Sequence, residues 1–376
     1  MKIESVRARV VEARPERGVR FSIGRFDVFS FVLVEVRVAD GLVGYGEAIA
    51  RYAPEVVRTA VEALFAPILI GEDARDIGRL WVAMIERLRR WGHHSGIAIE
   101  ALSGVDIALW DVVGKAQGQP VWRMLYGTGR SSVPVYASSL YIDTPEQMAA
   151  QATAQVDRGF RAIKAKIGRS PDDGGARADV ESLGAIRDAV GRDIELMVDA
   201  NGAYDAATAI QVARALEPLA IAWFEEPVPP DDLDGYRRIH SMTTVPLAAG
   251  ESVFGPFGFR SLIADGFVDY VQPDIARCGG ITAARQIAAL VYTYNRALAP
   301  HTGFSGGLSH LAALHIAAAA PAMKALEYMF IDNPAREIFD HGGYPQPHDG
   351  LIDVPEASGL GLDLDHELID RLTVSR

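Results

Sequence analysis

The chain has one cysteine, Cys278, in 376 residues, which excludes an intrachain disulfide and suits a reducing compartment, here read as the cytoplasm. Long apolar runs are also missing. The most apolar stretch, residues 308–323, is interrupted by His310, His315 and Pro321 and reads as a buried helix, not a membrane span. The start, Met1-Lys-Ile-Glu-Ser-Val-Arg7, is charged and lacks an apolar signal core. Basic charge is in deficit. The net charge of −12 and a pI near 5.3 argue against nucleic acid or an anionic membrane as partner. An anionic small substrate stays open, because a bound divalent ion dominates its own neighbourhood. There is no Walker loop, no Gly-x-Gly-x-x-Gly opening a helix, no Gly-x-Ser-x-Gly and no His-x-x-x-His. Nucleotide and serine-hydrolase readings therefore lack their usual support.

At 49% apolar and 23% charged residues the composition is that of a folded globular protein. Its length holds a barrel of about 200–250 residues plus a smaller domain. Residues 1–125 read as an α+β unit. The run Ser30-Phe-Val-Leu-Val-Glu-Val-Arg-Val38 is strand-like, Asp40-Gly41 offers a hairpin turn, and residues 54–125 turn helical. From residue 126 to 330 short apolar strands alternate with amphipathic helices. The expected strands are 133–138, 161–167, 194–199, 221–225, 246–250, 268–273, 297–300 and 325–330. Helices are expected at 145–158, 177–190, 206–217 and 281–294, the first opened by Thr144-Pro145. Eight strands with seven crossovers favour a closed barrel over an open sheet. Residues 331–376 are rich in Pro, Gly and Asp and are expected to pack back on the first domain.

The chemistry lies in a recurrence. Asp199, Glu225 and Glu251 each end a short apolar run and stand 26 residues apart. A strand, a helix and two short loops need about that length. The three acids are thus expected at equivalent ends of successive parallel strands, on the face where barrels build active sites. Converging carboxylates repel unless a cation sits among them, and hard oxygen ligands without thiolate favour Mg²⁺, or Mn²⁺, over zinc.

Lys164-Ala-Lys166 falls on the strand before this series, with both side chains on one strand face. A lone pair of that kind is most often two solvated lysines, but its place one unit ahead of the acids sets it apart. Two adjacent cations beside a metal would each be pushed toward the neutral amine, which makes a lysine usable as a general base. Asn201 repeats the i, i+2 pattern after Asp199; substrate contact, a steered ligand and a plain turn residue are all open. Glu225 is preferred to Glu226 as the inward acid because it keeps the 26-residue step. Asp274, His301 and Glu327 end the sixth, seventh and eighth runs. An acid on one strand end beside a histidine on the next would fix the imidazole tautomer and raise its basicity, giving a second acid/base across the pocket from Lys166. Gly279-Gly280 makes a tight turn into a helix whose N-terminus could favour an anion, although a plain loop is the commoner outcome.

This set resembles the enolase superfamily, and within it the mandelate racemase subgroup. The resemblance spans nearly the whole chain. It implies a (β/α)₇β TIM-like barrel with an N-terminal α+β capping domain completed by the C-terminal segment. It also implies Mg²⁺ on Asp199, Glu225 and Glu251, and catalytic roles for Lys164, Lys166, Asp274, His301 and Glu327. Muconate-cycloisomerase-like relatives carry a lysine at the end of strand six, where this chain has Asp274. The expected reaction starts with removal of the proton α to a carboxylate. Lys164, Asn201, His301 and Glu327 would contact the substrate, a small carboxylate, and Glu327, if protonated beside an anionic intermediate, could donate to it. Subgroup members with this constellation are mostly acid-sugar dehydratases, so loss of water to a 2-keto-3-deoxy acid is expected ahead of racemisation or epimerisation. A metal-stabilised barrel without a reaction is the reading of another class, and it must account for seven polar groups buried in register. Assembly as a homo-oligomer is expected. Among Arg14, Arg17, Arg20, Arg25 and Arg51 in the cap loops, one could clamp a second carboxylate; a solvated basic loop is the commoner reading.

Overall fold

In a computed structural model, residues 1–16, 18–303, 305–329, 333–339 and 344–374 are described. Arg17, and Phe330 at the end of the eighth expected strand, lie outside them.

The cap begins with β1 (Ile3–Ala13), a short ribbon of β2 (Val19–Phe21) and β3 (Gly24–Phe26), and the hairpin of β4 (Phe29–Val38) and β5 (Val43–Ile49). The turn falls at Asp40-Gly41, with Gly41 at φ +87°. β1, β4 and β5 form one antiparallel sheet. α1 (Ile77–Arg89) packs on α2 (Ile97–Gln117), which with the helical residues 54–69 covers one side of the sheet.

The barrel follows in the expected order: β6 (Ser132–Leu140), β7 (Ala162–Lys166), β8 (Glu195–Asp199), β9 (Ile221–Glu225), β10 (Leu247–Ala249), β11 (Tyr270–Val271), β12 (Ala297–Leu298) and β13 (Leu326–Tyr328). All pair in parallel, each with its neighbour in sequence, and β13 closes on β6. The remaining seam, between β12 and β13, is joined by a Leu298–Met323 bridge and by the Lys324 N–H donating to Leu298 O at 2.8 Å. Seven helices fill the crossovers among the described residues: α3 (Pro145–Asp157), α4 (Gly175–Val190), α5 (Ala206–Leu216), α6 (Leu233–His240), α7 (Gly255–Ala264), α8 (Gly280–Thr293) and α9 (Leu308–Ala319). Thr144 caps α3 by accepting from Gln147 N, and Asp205 caps α5 by accepting from Thr208 N. α9 is buried on every side, as its His-interrupted apolar sequence required. β14 (Leu351–Asp353) then pairs antiparallel with the start of β6. The end of the chain returns to the cap, where Thr373 bridges Val11 and Asp370 pairs with Arg9 at 2.6 Å.

Cap and barrel are joined through helix ends. Asp106 of α2 accepts from Thr282 N at 2.8 Å and Thr282 Oγ1 at 2.6 Å, at the start of α8. The helix end after Gly279-Gly280, where a plain loop was the commoner expectation, is thus taken by a carboxyl group of the chain itself. Glu47 of β5 does the same for α9, accepting from Gly306 N at 2.7 Å and Ser309 N at 3.1 Å. Burial raises the Asp106 carboxyl from its ordinary 3.8 to about 7, against the hydrogen bonds that favour its charge. An aspartate ionised earlier in the unfolded chain than in the fold costs stability as pH rises from about 4 through 7, by up to a few kcal/mol. Wild type should thus lose more thermal stability than Asp106→Asn between pH 5 and 8. Parallel Tm–pH curves for the two would contradict this.

Candidate active site

Strand register brings the acids together. Lys166 on β7 lies opposite Asp199 on β8, and Asp199 opposite Glu225 on β9. Glu251 stands two residues past the end of β10. Gly250 makes that step at φ +140°, and a Cβ there would lie 2.9 Å from Gln272 N, so only glycine fits. Asp274 and His301 face each other in a parallel bridge beyond β11 and β12, and Glu327 sits in β13. Every residue of the predicted constellation reaches one mouth, at the C-terminal ends of the strands, and all are buried. Two turn residues there, Asn201 and Glu226, hold left-handed φ angles of +46° and +37°, a local strain of the kind found at functional sites.

One carboxylate oxygen from each of Asp199, Glu225 and Glu251 lies within 4.8 Å of the others. Lys164 Nζ is 2.5 Å from Glu225 Oε1 and 2.9 Å from Glu327 Oε1, and Lys166 Nζ contacts Asp199 Oδ2. Nδ1 of His301 is hydrogen-bonded to Asp274 Oδ2 at 2.8 Å. Its Nε2 stands 2.9 Å from Glu251 Oε2, an ion-pair distance without hydrogen-bond alignment, and 3.5 Å from Glu327 Oε2. Asn201 turns back on Asp199, donating from N at 2.8 Å and from Nδ2 at 3.2 Å, so it orients that acid.

Six carboxylates (Asp199, Glu225, Glu226, Glu251, Asp274, Glu327) face three basic side chains (Lys164, Lys166, Arg51) in this mouth. Burial pushes Glu225 up to about 7, although Lys164 pulls it down. Burial, then Glu251 and Asp199, push Glu226 well up. This excess of buried negative charge, with three oxygens converging, is what a divalent cation would relieve, and the hard donor set fits Mg²⁺. One expectation is corrected. Burial works against charge on Lys164, yet Glu225 and Glu327 hold its pKa well above the ordinary value, so the residues present keep it an ammonium. Burial likewise favours neutral Glu327, but Lys164 and His301 bring it down to about 2. Glu327 is an ionised acceptor here, taking the Thr302 N–H at 2.9 Å. His301 is raised to about 10: burial opposes its charge, and Glu251 and Glu327 outweigh burial.

Two groups were not found from sequence. Gln272 donates to Glu225 Oε2 at 2.6 Å and Trp223 Nε1 to the same oxygen at 3.2 Å. Gln272 stands two residues before Asp274, and Trp223 two before Glu225, so strand alternation could have signalled both. Arg51, following β5, reaches Glu251 Oε1 with both Nη atoms at 3.3–3.4 Å. The other described loop arginines stay away. Arg20 pairs with Asp173, Arg25 with Asp27, and Arg14 is exposed. A groove of about 1300 Å³ also lies outside the mouth, between these loops and the helices after β6 and β7. Within the mouth Phe21, Ile23 and Met329 close over Lys166 and His301, leaving about 10 Å³, no more than one water.

A capped β/α barrel with three carboxylates on consecutive strand ends, flanked by a lysine pair and an Asp–His pair, defines a class of metal-assisted enzymes acting on small molecules. Residues 147–368 match the family described as enolase C-terminal domain-like. Residues 5–126 match the mandelate racemase / muconate lactonizing enzyme N-terminal domain. The chain is 33% identical to D-galactarolactone cycloisomerase of Agrobacterium fabrum, covering 98% of each. It is 33% identical to arabinonate dehydratase of Saccharolobus solfataricus, covering 88% of this chain and 87% of that one. A solved racemase from Streptomyces coelicolor with bound magnesium superposes with a TM-score of 0.90 at 32% identity, covering 99% of this chain and all of that one. This chain is an enzyme of the enolase superfamily, of the mandelate racemase-like family within it. Among the described residues no helix is long and apolar enough to cross a membrane.

Proposed function

We propose that the protein is a divalent-metal-dependent hydro-lyase that converts an acid sugar to a 2-keto-3-deoxy acid. The observation that carries this reading is Lys166 and the His301–Asp274 pair on opposite sides of one mouth, with Asp199, Glu225 and Glu251 on the strands between. Relatives named arabinonate, D-galactonate and L-talarate/galactarate dehydratase support it.

Mg²⁺, for which Mn²⁺ could substitute, would be held by Asp199, Glu225 and Glu251, and supplies positive charge where the substrate carboxylate gains electron density. The remaining work belongs to side chains. Lys164, buried beside Glu225 and Glu327, places a fixed cation next to the same carboxylate. Lys166, acting as general base, takes the α-proton, and the C–H pair becomes the enediolate. The β C–O bond then breaks, with His301 Nε2 giving its proton to the departing hydroxyl, so that water leaves. Asp274 holds Nδ1, which keeps Nε2 as the working nitrogen. The resulting enol ketonises with uptake of a proton at C3.

Racemisation or epimerisation is the second reading. It rests on the same opposed pair and needs no β-hydroxyl. Proton NMR of the Mg²⁺-loaded enzyme with pools of monoacid and diacid sugars separates the two. New 3-deoxy methylene signals are expected. Inverted α-centres without methylene signals would favour the second reading, and silence across acid sugars and simple 2-hydroxy acids would reject both.

A further inference from the structure

Glu225 is held from three sides. Lys164 Nζ lies 2.5 Å from its Oε1. Its other oxygen, Oε2, takes two N–H donors, Gln272 Nε2 at 2.6 Å and Trp223 Nε1 at 3.2 Å. An ionised carboxylate only accepts, so the Gln272 amide must present its NH₂ group, and the carboxylate has about four acceptor positions, two on each oxygen. The two N–H donors fill both positions on Oε2, and Lys164 fills one on Oε1. A single position stays open, and it is on Oε1.

Both N–H donors are themselves fixed. The side chains of Gln272 and Trp223 are buried. The indole of Trp223 packs edge-on against Tyr136, with ring centres 5.3 Å apart, and its ring centre lies 4.9 Å from that of Tyr270, so it cannot swing away. The main chain of Gln272 donates to Ala249 O at 2.9 Å and runs close past Gly250, where a Cβ would lie 2.9 Å from Gln272 N and 3.0 Å from its carbonyl carbon and oxygen. Gln272 therefore touches the step that carries Glu251 with its backbone and reaches Glu225 with its amide. Neither donor is charged, so neither relieves the excess of carboxylates in the mouth. What they do is orient Glu225.

The number of oxygens a carboxylate can offer bears on which ion it holds. Mg²⁺ demands near-octahedral geometry at short distances and keeps several waters, whereas Ca²⁺ takes about six to eight oxygens and accepts both oxygens of one carboxylate. Asp199 is restricted in the same way as Glu225, with Asn201 N on Oδ1 and both Asn201 Nδ2 and Lys166 Nζ on Oδ2. We propose that Gln272 is a positioning residue that confines Glu225 to one-oxygen ligation and so biases the site toward Mg²⁺ and against Ca²⁺. This rests on the divalent site proposed above and adds the residue that sets its ion preference.

The test is displacement of Mn²⁺ by Mg²⁺ and by Ca²⁺, with free Mn²⁺ read by electron paramagnetic resonance, which gives both affinities on the same protein without turnover. Gln272→Met removes the amide and keeps the length of the side chain. It frees Oε2, so Ca²⁺ affinity should rise relative to Mg²⁺ affinity by about 10-fold, the worth of one hydrogen bond to a charged group. Trp223→Phe, which removes the longer of the two bonds and keeps an aromatic ring in place, should move the ratio the same way by less, and it serves if the methionine variant does not fold. An unchanged Mg²⁺-to-Ca²⁺ ratio in the folded variants would overturn the proposal. Equal weakening of both ions, the result of a merely structural role for Gln272, would overturn it too. Wild-type protein that binds no Mn²⁺ would remove the metal site itself and this proposal with it, a result distinct from a site that binds both ions with unaltered preference.

Discussion

Replacing His301 with asparagine is expected to lower kcat by about 10²- to 10⁴-fold, the usual worth of a positioned general acid or base. Asparagine keeps a polar side chain near Asp274 but carries no titrating proton. Divalent-metal affinity should stay close to wild type, because His301 is not one of the three converging carboxylates; it touches the metal set only through the Glu251 contact at 2.9 Å. Steady-state rates and Mn²⁺ titration together check this. Full turnover in the variant would remove His301 from the chemistry, and a loss of metal binding matching the loss of rate would make it a structural partner of Glu251.

Removing the divalent ion is expected to abolish turnover and to destabilise the fold. The barrel mouth then holds six buried carboxylates against three basic side chains, with Glu225 and Glu226 already pushed up. Ligand that binds only the folded state at about 100 times its Kd adds about 2.7 kcal/mol of stability. Chelated protein should therefore melt lower, and Mg²⁺ should restore both Tm and activity. Glu225→Gln should blunt the Tm response to Mg²⁺, because it removes one ligand and leaves Lys164 without its nearest carboxylate at 2.5 Å. An unchanged Tm and rate after exhaustive chelation would contradict the metal site.

The barrel was legible because its geometry repeats in the sequence. A strand–helix unit of constant length put Asp199, Glu225 and Glu251 at a constant spacing, and parallel register turned the spacing into proximity. The Asp274–His301 pair followed from the same period. What sequence could not supply were contacts between distant elements. Asp106 meets Thr282, Glu47 meets Gly306, and Arg51 meets Glu251, each across 176 residues or more, with no period linking them. Charge states were also out of reach. Glu327 could donate only if protonated, and Lys164 and His301 bring its pKa down. Lys164 was expected to drift toward the amine, but it is surrounded by acids. Asn201, left open between substrate and metal roles, turns out to hold Asp199. In each case the net effect depends on neighbours from several strands, which only the folded chain assembles.

The central claim is that the α-hydrogen leaves as a proton and is exchanged with solvent before product forms. Running the reaction with protiated substrate in D₂O and reading the product methylene by proton NMR tests it most directly. Abstraction at Lys166 followed by ketonisation should place one solvent deuterium at C3. A product whose C3 carries two protium atoms from the substrate would mean that the α-hydrogen shifts as hydride or is returned within the site, and would contradict its exchange with solvent before product forms.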